Sequence, residues 1–410
     1  MCLHLLHCSV ETEGISEGRK VLGSKPCVTK RRHLASKMNC LRKEIVFFLF
    51  SAILSLGSTE QGTIRWCVLT AAELQKCLDF AGNATESNIH NGLQCIRTSS
   101  ALDCMEKIKE GEADAVTLDR GDIYSAGRCY GLVPAAGECY KNNESLIYYA
   151  VAVANKLQDI SMETLSNMSS CHSGMKRTAG WVVPVGFLVN RNIITVRNCD
   201  FAGAIGSLFK QSCIPGIKDL QYDPLGTNPQ NLCEGCGGGG DGQNICANSS
   251  FERYFGYAGA FRCLAENKGD VAFVRHSTVF ENSDGTNPAP WARDLKAADF
   301  KLLCEDGSTA PVWQYTTCNL ATVPAHAVMT QVSRRHQVFR FLDNAQKRFG
   351  DNAGGFQMFK SSDYGDKDLL FNDATTRLVA VQQSYSSWLG QSFLTALQAF
   401  DCEGPCYLEQ

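Results

Sequence analysis

The spacing of hydrophobic positions changes along this chain. Beyond residue 62, short runs of β-branched and aromatic residues alternate with stretches whose apolar side chains recur every three to four positions. Thr63-Ile64-Arg65-Trp66-Cys67-Val68-Leu69 predicts a strand and Ala71 to Phe80 a helix. Ala113-Asp114-Ala115-Val116-Thr117-Leu118 predicts a short strand that delivers Asp119 at its carboxyl end. Alternation of this kind implies an α/β fold, in which ligands sit beyond the carboxyl ends of the strands, where Asp119 falls. Two longer apolar runs, Leu146 to Ala154 and Ala321 to Met329, read as hinge strands passing between two domains. Gly237 to Gly242 reads as a flexible loop, since it lacks the Lys-Ser/Thr of a phosphate-binding loop. There is no internal repeat.

The first 37 residues show no such period. Met38-Asn39-Cys40-Leu41-Arg42-Lys43 followed by the apolar run Ile45 to Gly57 has the layout of a secretory signal peptide, which we assign to residues 38–59, with 1–37 as an upstream extension. The apolar run is shorter than the roughly 20 residues a membrane helix needs, so no transmembrane anchor is expected. A chain of 410 residues with 44% apolar and 20% charged residues is globular and long enough for two domains. Four of its 21 cysteines precede the expected cleavage, leaving 17, a density that in a secreted chain means disulfides. Cys233-Glu234-Gly235-Cys236 suggests zinc at first sight, but no second pair follows at finger spacing, which favours disulfides. Sequons at Asn83, Asn143, Asn167 and Asn248 fit the same extracellular compartment. Nine of the 39 basic and four of the 42 acidic residues lie before Ile45, so the remainder is acidic by eight charges, which disfavours nucleic acid as a partner.

One segment carries candidate chemistry. In Ser170-Cys171-His172-Ser173-Gly174-Met175-Lys176-Arg177-Thr178-Ala179-Gly180-Trp181, a hydroxyl at Ser173, a guanidinium at Arg177 and free amides at Ala179 and Gly180 would converge at a helix start, as a small oxyanion requires. The plainer alternative is a capped helix with a surface arginine. Ser173 beside His172 invites a hydrolase reading, but adjacent residues at a helix start point apart and no nucleophile elbow is present. An enzyme is not expected.

Further runs make the resemblance specific: Arg65-Trp66-Cys67, Glu112 to Asp119, Tyr148 to Val153, Thr178-Ala179-Gly180-Trp181, Tyr254-Phe255-Gly256-Tyr257, Gly269 to Val274, Val323-Pro324-Ala325-His326 and Lys367 to Phe371. With them the chain, from about Thr63 to Cys402, resembles a single lobe of the transferrins. The resemblance implies two α/β domains with a mixed sheet each, 63–146 plus 324–400 and 147–323, joined by two hinge strands, with a tail at 401–410. It further implies a ferric ion held by Asp119, Tyr148, Tyr257 and His326, with a synergistic carbonate on Ser173, Arg177 and the amides of Ala179 and Gly180. A carboxylate, two phenolates and an imidazole bring three negative charges to Fe³⁺, and hard oxygen donors suit a hard cation. His276 would stand behind the ligands. Arg275 and Asn372 replace a lysine pair that opens some lobes of the family on acidification, so acid release is left open.

Transferred by position, the family's disulfides pair Cys67–Cys104, Cys77–Cys95, Cys171–Cys263, Cys199–Cys402, Cys213–Cys236, Cys233–Cys246 and Cys304–Cys318. Cys129 and Cys139 are then expected to bond each other, leaving Cys406 as a candidate for linkage between molecules. The resemblance, limited to a single lobe, implies a component of a calcium carbonate biomineral matrix, the otolith, with matrix or mineral-associated proteins as partners. The alternative is an extracellular iron carrier without a mineral role.

Overall fold

Strand β1 (Ile64–Val68) is buried along nearly its whole length, the pattern of a strand covered on both faces. The computed structural model describes residues 62–89, 91–140, 146–350, 355–403 and Cys406. The upstream extension, the signal segment 38–59, Asn143 and most of the tail lie outside the described residues. β1 pairs in parallel with β2 (Leu93–Arg97) and β3 (Ala115–Leu118). β12 (Ala327–Thr330), β4 (Val133–Tyr140) and β13 (Thr375–Ala380) extend this sheet with antiparallel pairings, in the order β13-β4-β12-β3-β1-β2.

Helix α1 (Ala71–Glu86) begins at a capping box, Thr70 accepting from the Glu73 amide while Glu73 reaches back. It runs past the expected end at Phe80 because Cys77, Phe80 and Ala84 continue one buried stripe. Helices α2 (Ala101–Glu110) and α3 (Arg120–Tyr130) follow β2 and β3, each ending at a left-handed glycine, Gly111 or Gly131. With α7 (Arg335–Phe349), α1 encloses an aromatic core in which Trp66 meets Phe371 and Phe80 meets Phe341.

The second sheet is built on β5 (Ile147–Asn155), in the order β10-β9-β5-β8-β6-β7, with β11 (Ala321–Pro324) also on β5. Its other strands are β6 (Ser169–His172), β7 (Gln211–Cys213), β8 (Val271–Arg275), β9 (Phe300–Leu303) and β10 (Thr309–Pro311). Helices α4 (Val183–Asn190), α5 (Phe201–Leu208) and α6 (Gly256–Ala265) belong to this half. α8 (Tyr385–Leu389) and α9 (Gln391–Gln398) follow β13 in sequence, yet α9 lies against α4, where a Cβ on Gly186 would come within 2.4 Å of the Ala396 carbonyl.

Between the sheets the chain crosses twice. The run Ala321 to Met329, expected as one hinge strand, is two: β11 pairs with the second sheet, β12 with the first, and Ala325-His326 joins them. Pro324 ends β11 without an amide hydrogen to continue a ladder, and the Ala325 amide donates to Leu146 O at 2.7 Å, laying the two crossings side by side. The break leaves His326 outside both sheets, at their junction.

All seven disulfides transferred from the family are present. The expected Cys129–Cys139 bond is not: Cys129 bonds Cys406, with Cα atoms 5.7 Å apart. The cause lies at the end of α3, where Tyr124 donates to Asp401 at 2.7 Å and Arg128 pairs with the same carboxylate, bringing the tail to Cys129 while Cys139 is buried in β4. Cys406 is therefore consumed within the chain and offers no thiol for linking molecules. Both cysteines of Cys233-Glu234-Gly235-Cys236 are in disulfides, which removes the zinc alternative. Gly237 to Gly242, read as flexible, is anchored by the buried Glu252 carboxylate, which accepts from Gly237 N at 3.1 Å and Gly238 N at 2.7 Å. Asn167 and Asn248 are exposed, whereas Asn83 is half-buried in α1 and donates to Asp79 O at 2.8 Å.

Candidate functional site

The oxyanion cradle starts where β6 runs out. Gly174 takes φ of 139°, a backbone region that side chains disfavour, and the chain turns to present Arg177 immediately before a helical segment. This segment opens with one π turn, Thr178–Val182, and continues as α4. Its first internal hydrogen bonds run from Trp181 N and Val182 N to Arg177 O, at 2.7 and 3.2 Å, so the amides of Ala179 and Gly180 lie ahead of the ladder. Ser173 is fully buried and its Oγ has no hydrogen-bond partner. A Cβ on Gly180 would fall 2.0 Å from that Oγ, so only glycine leaves this space open.

Beneath the cradle lies His172, which sequence reasoning weighed only as a partner for Ser173. Its Nδ1 stands 2.7 Å from Gly180 O and its Nε2 2.9 Å from Ser170 Oγ, which in turn meets Ser212 Oγ at 2.7 Å. Since the carbonyl only accepts, Nδ1 carries the proton and Nε2 accepts from Ser170. Burial pushes the imidazole down to about 4, so it is neutral at physiological pH and fixes the Gly180 peptide. Both ring nitrogens are committed elsewhere, so no base faces Ser173.

A cleft of about 350 Å³ brings Tyr148 from β5, Tyr257 from the first turn of α6, His326 and Arg177 together. Tyr148 Oη is buried without a partner of hydrogen-bonding geometry, and burial beside Tyr257 holds its phenol well above the usual range. His326 is pushed down to about 3, by burial first and the neighbouring Arg120 charge second. Behind its Nδ1, at 3.9 Å, stands the buried Glu138 carboxyl, itself pushed up to about 7 by burial and held by Thr375 Oγ1 at 3.1 Å and Asn372 N at 3.3 Å. His276 accepts from Tyr149 N through Nδ1 at 3.2 Å. Arg275 Nη2 donates to both carboxylate oxygens of Glu281, at 2.8 and 3.0 Å, and the guanidinium lies over the Tyr257 ring.

Asp119 is not in this cleft. It is exposed and caps α3, accepting from Gly121 N at 2.9 Å and Asp122 N at 3.1 Å, and it lines a smaller adjoining cavity that shares only His326 and Asn372 with the main one. In its stead comes Arg120, which the sequence reading passed over. Arg120 Nε donates to Pro324 O at 2.6 Å, Nη1 stands 3.3 Å from His326 Nε2, and the guanidinium carbon lies 5.0 Å from the centre of the Tyr148 ring. The only signal in the sequence was a long cation directly after a candidate ligand.

The transferrin family model matches residues 64–402. The chain belongs to the transferrin family. Over 364 residues this lobe is 50% identical to otolith matrix protein 1 of Danio rerio, covering 88% of this chain and 98% of that protein. It is 42% identical to melanotransferrin of Oryctolagus cuniculus over 89% of this chain and 49% of that protein, and 39% identical to ovotransferrin of Gallus gallus over 88% and 50%. Of these three relatives, the lobe matches the first along nearly its full length and the other two along about half.

Proposed function

We propose that this transferrin lobe is an extracellular binding protein of a calcium carbonate mineral matrix of the otolith kind, and that its cleft takes carbonate on Ser173, Arg177 and the amides of Ala179 and Gly180. The observation that carries the anion half is the fully buried Ser173 Oγ without a partner, set against a Gly180 whose missing Cβ keeps the space open. A buried hydroxyl left unmatched is destabilising unless a ligand completes it. The near full-length match to a protein named for the otolith matrix supports the matrix half, and eight disulfides fit an oxidising extracellular setting. Among the described residues no helix is long and apolar enough to cross a membrane. Matrix or mineral-associated proteins are the partners this reading calls for, through contacts other than Cys406.

The ferric ion of the family's chemistry is the second reading, that of an iron carrier. Tyr148, Tyr257 and His326 fit it in kind, and the orphaned Tyr148 Oη favours it. They fit in arrangement only after Arg120 withdraws from His326 and Asp119, whose Oδ1 alone serves the helix cap, turns its other oxygen to the cleft. Because both ring nitrogens of His172 are committed, a binding role is favoured over a hydrolytic one. Calcium carbonate grown in the presence of the lobe tests the matrix reading: altered crystal habit and protein retained in the crystal are expected, and unchanged crystals with the protein left in solution would refute it.

A further inference from the structure

We propose that Arg120 is a resident cation of the cleft, standing where a ferric ion's donors would converge, so that the lobe binds carbonate or bicarbonate without metal and takes ferric iron weakly. Three observations carry this. Arg120 reaches His326 Nε2 at 3.3 Å, the atom through which a neutral imidazole facing the cleft would bind a metal, and covers the face of Tyr148. Its position is fixed by the donation from Nε to Pro324 O at 2.6 Å, on the crossing between the two sheets, so the guanidinium is built into the hinge instead of extending into solvent. Asp119, the carboxylate that would complete a ferric site, caps α3 through Oδ1 and lines the adjoining cavity instead of this cleft.

The charges agree with the geometry. Arg120, Arg177 and Arg275 all line the cleft, Arg275 paired with Glu281 behind it, and among the described residues no carboxylate lines the cleft. Arg275 Nε is buried without a partner. A trivalent cation entering this space meets fixed positive charge in a poorly screened environment, whereas a planar oxyanion meets guanidinium forks suited to it. The anion's own seat does not rest on the helix start alone, since the fully buried Ser173 hydroxyl is unmatched there. The cation that balances carbonate is then a side chain of the chain itself.

The proposal rests on the oxyanion cleft of the preceding section, and the test separates the two. The secreted lobe, freed of metal, is titrated calorimetrically with sodium bicarbonate and separately with ferric nitrilotriacetate plus bicarbonate, following the visible phenolate band. The wild type is expected to bind bicarbonate without iron. Arg120→Ala is expected to weaken that binding about ten-fold or more and to tighten ferric binding about a hundred-fold or more. Arg120→Lys keeps the charge and should bind ferric iron as the wild type does. Equal ferric affinity in wild type and Arg120→Ala overturns the proposal, as does metal-free bicarbonate binding that Arg120→Ala leaves unchanged. If Arg120→Ala does not melt as a folded lobe, Arg120→Lys decides, because ferric binding a hundred-fold tighter than wild type there overturns it too. Arg177→Ala isolates the underlying reading: bicarbonate binding that survives it sinks the oxyanion cradle, while the ferric comparison at Arg120 still stands or falls by itself.

Discussion

His172 shows how one buried side chain couples the cradle to pH. Its pKa in the fold, about 4, lies below the ordinary 6.5, so below pH 6.5 the unfolded chain binds a proton that the native lobe resists. Its contribution is whole above pH 6.5 and is lost as pH falls toward 4, by up to about 3 kcal/mol. Glu138, raised to about 7 by burial, works the other way, its stabilising protonated form being lost as pH rises. The clean readout is therefore a difference. Urea unfolding of wild type and His172→Gln at pH 7 and pH 4.5 should show the wild type losing more stability on acidification, and equal losses would exclude this role. The same residue marks the limit of sequence reasoning at this scale. That Ser173, Arg177, Ala179 and Gly180 meet at a helix start was legible from the local sequence, but which way His172 or Arg120 turns depends on atoms brought from elsewhere in the chain, Ser212 and Pro324 among them.

At the scale of elements, strand β1 and the start of α1 followed from a clean change of period, and burial of Cys77 and Ala84 carried α1 beyond its expected end. The break between β11 and β12 was legible only in part: Pro324 marks an interruption, but nothing in Ala321 to Met329 tells that its two halves join different sheets. The cysteine pairing taught the same lesson. Cys129 chose Cys406 because the Arg128–Asp401 and Tyr124–Asp401 contacts fix the tail against α3, and those contacts join residues more than 270 positions apart. Two outcomes follow. On a non-reducing gel the lobe should run as a monomer, and a cysteine-linked dimer would contradict the assignment. Cys129→Ser with Cys406→Ser should lower stability by only about 1–2 kcal/mol, the low end for a disulfide, because Cys199–Cys402 already ties down the same tail; thermal melting of the double variant measures this.

For the whole molecule, two sheets meet along paired crossings, and the residues that line the cleft come from both: Tyr148, Tyr257 and Arg177 from one half, Arg120 and His326 from the other half and the junction. A ligand touching both halves would favour closure of one on the other only through its own differential contacts. The central claim is that this cleft is built for carbonate, anchored by Arg177. Isothermal titration of the metal-free lobe with bicarbonate near neutral pH, wild type beside Arg177→Ala, tests it most directly. One site per lobe in the wild type, weakened about ten-fold or more in the variant, is the predicted result; equal binding in both, or no binding in the folded wild type, would contradict it.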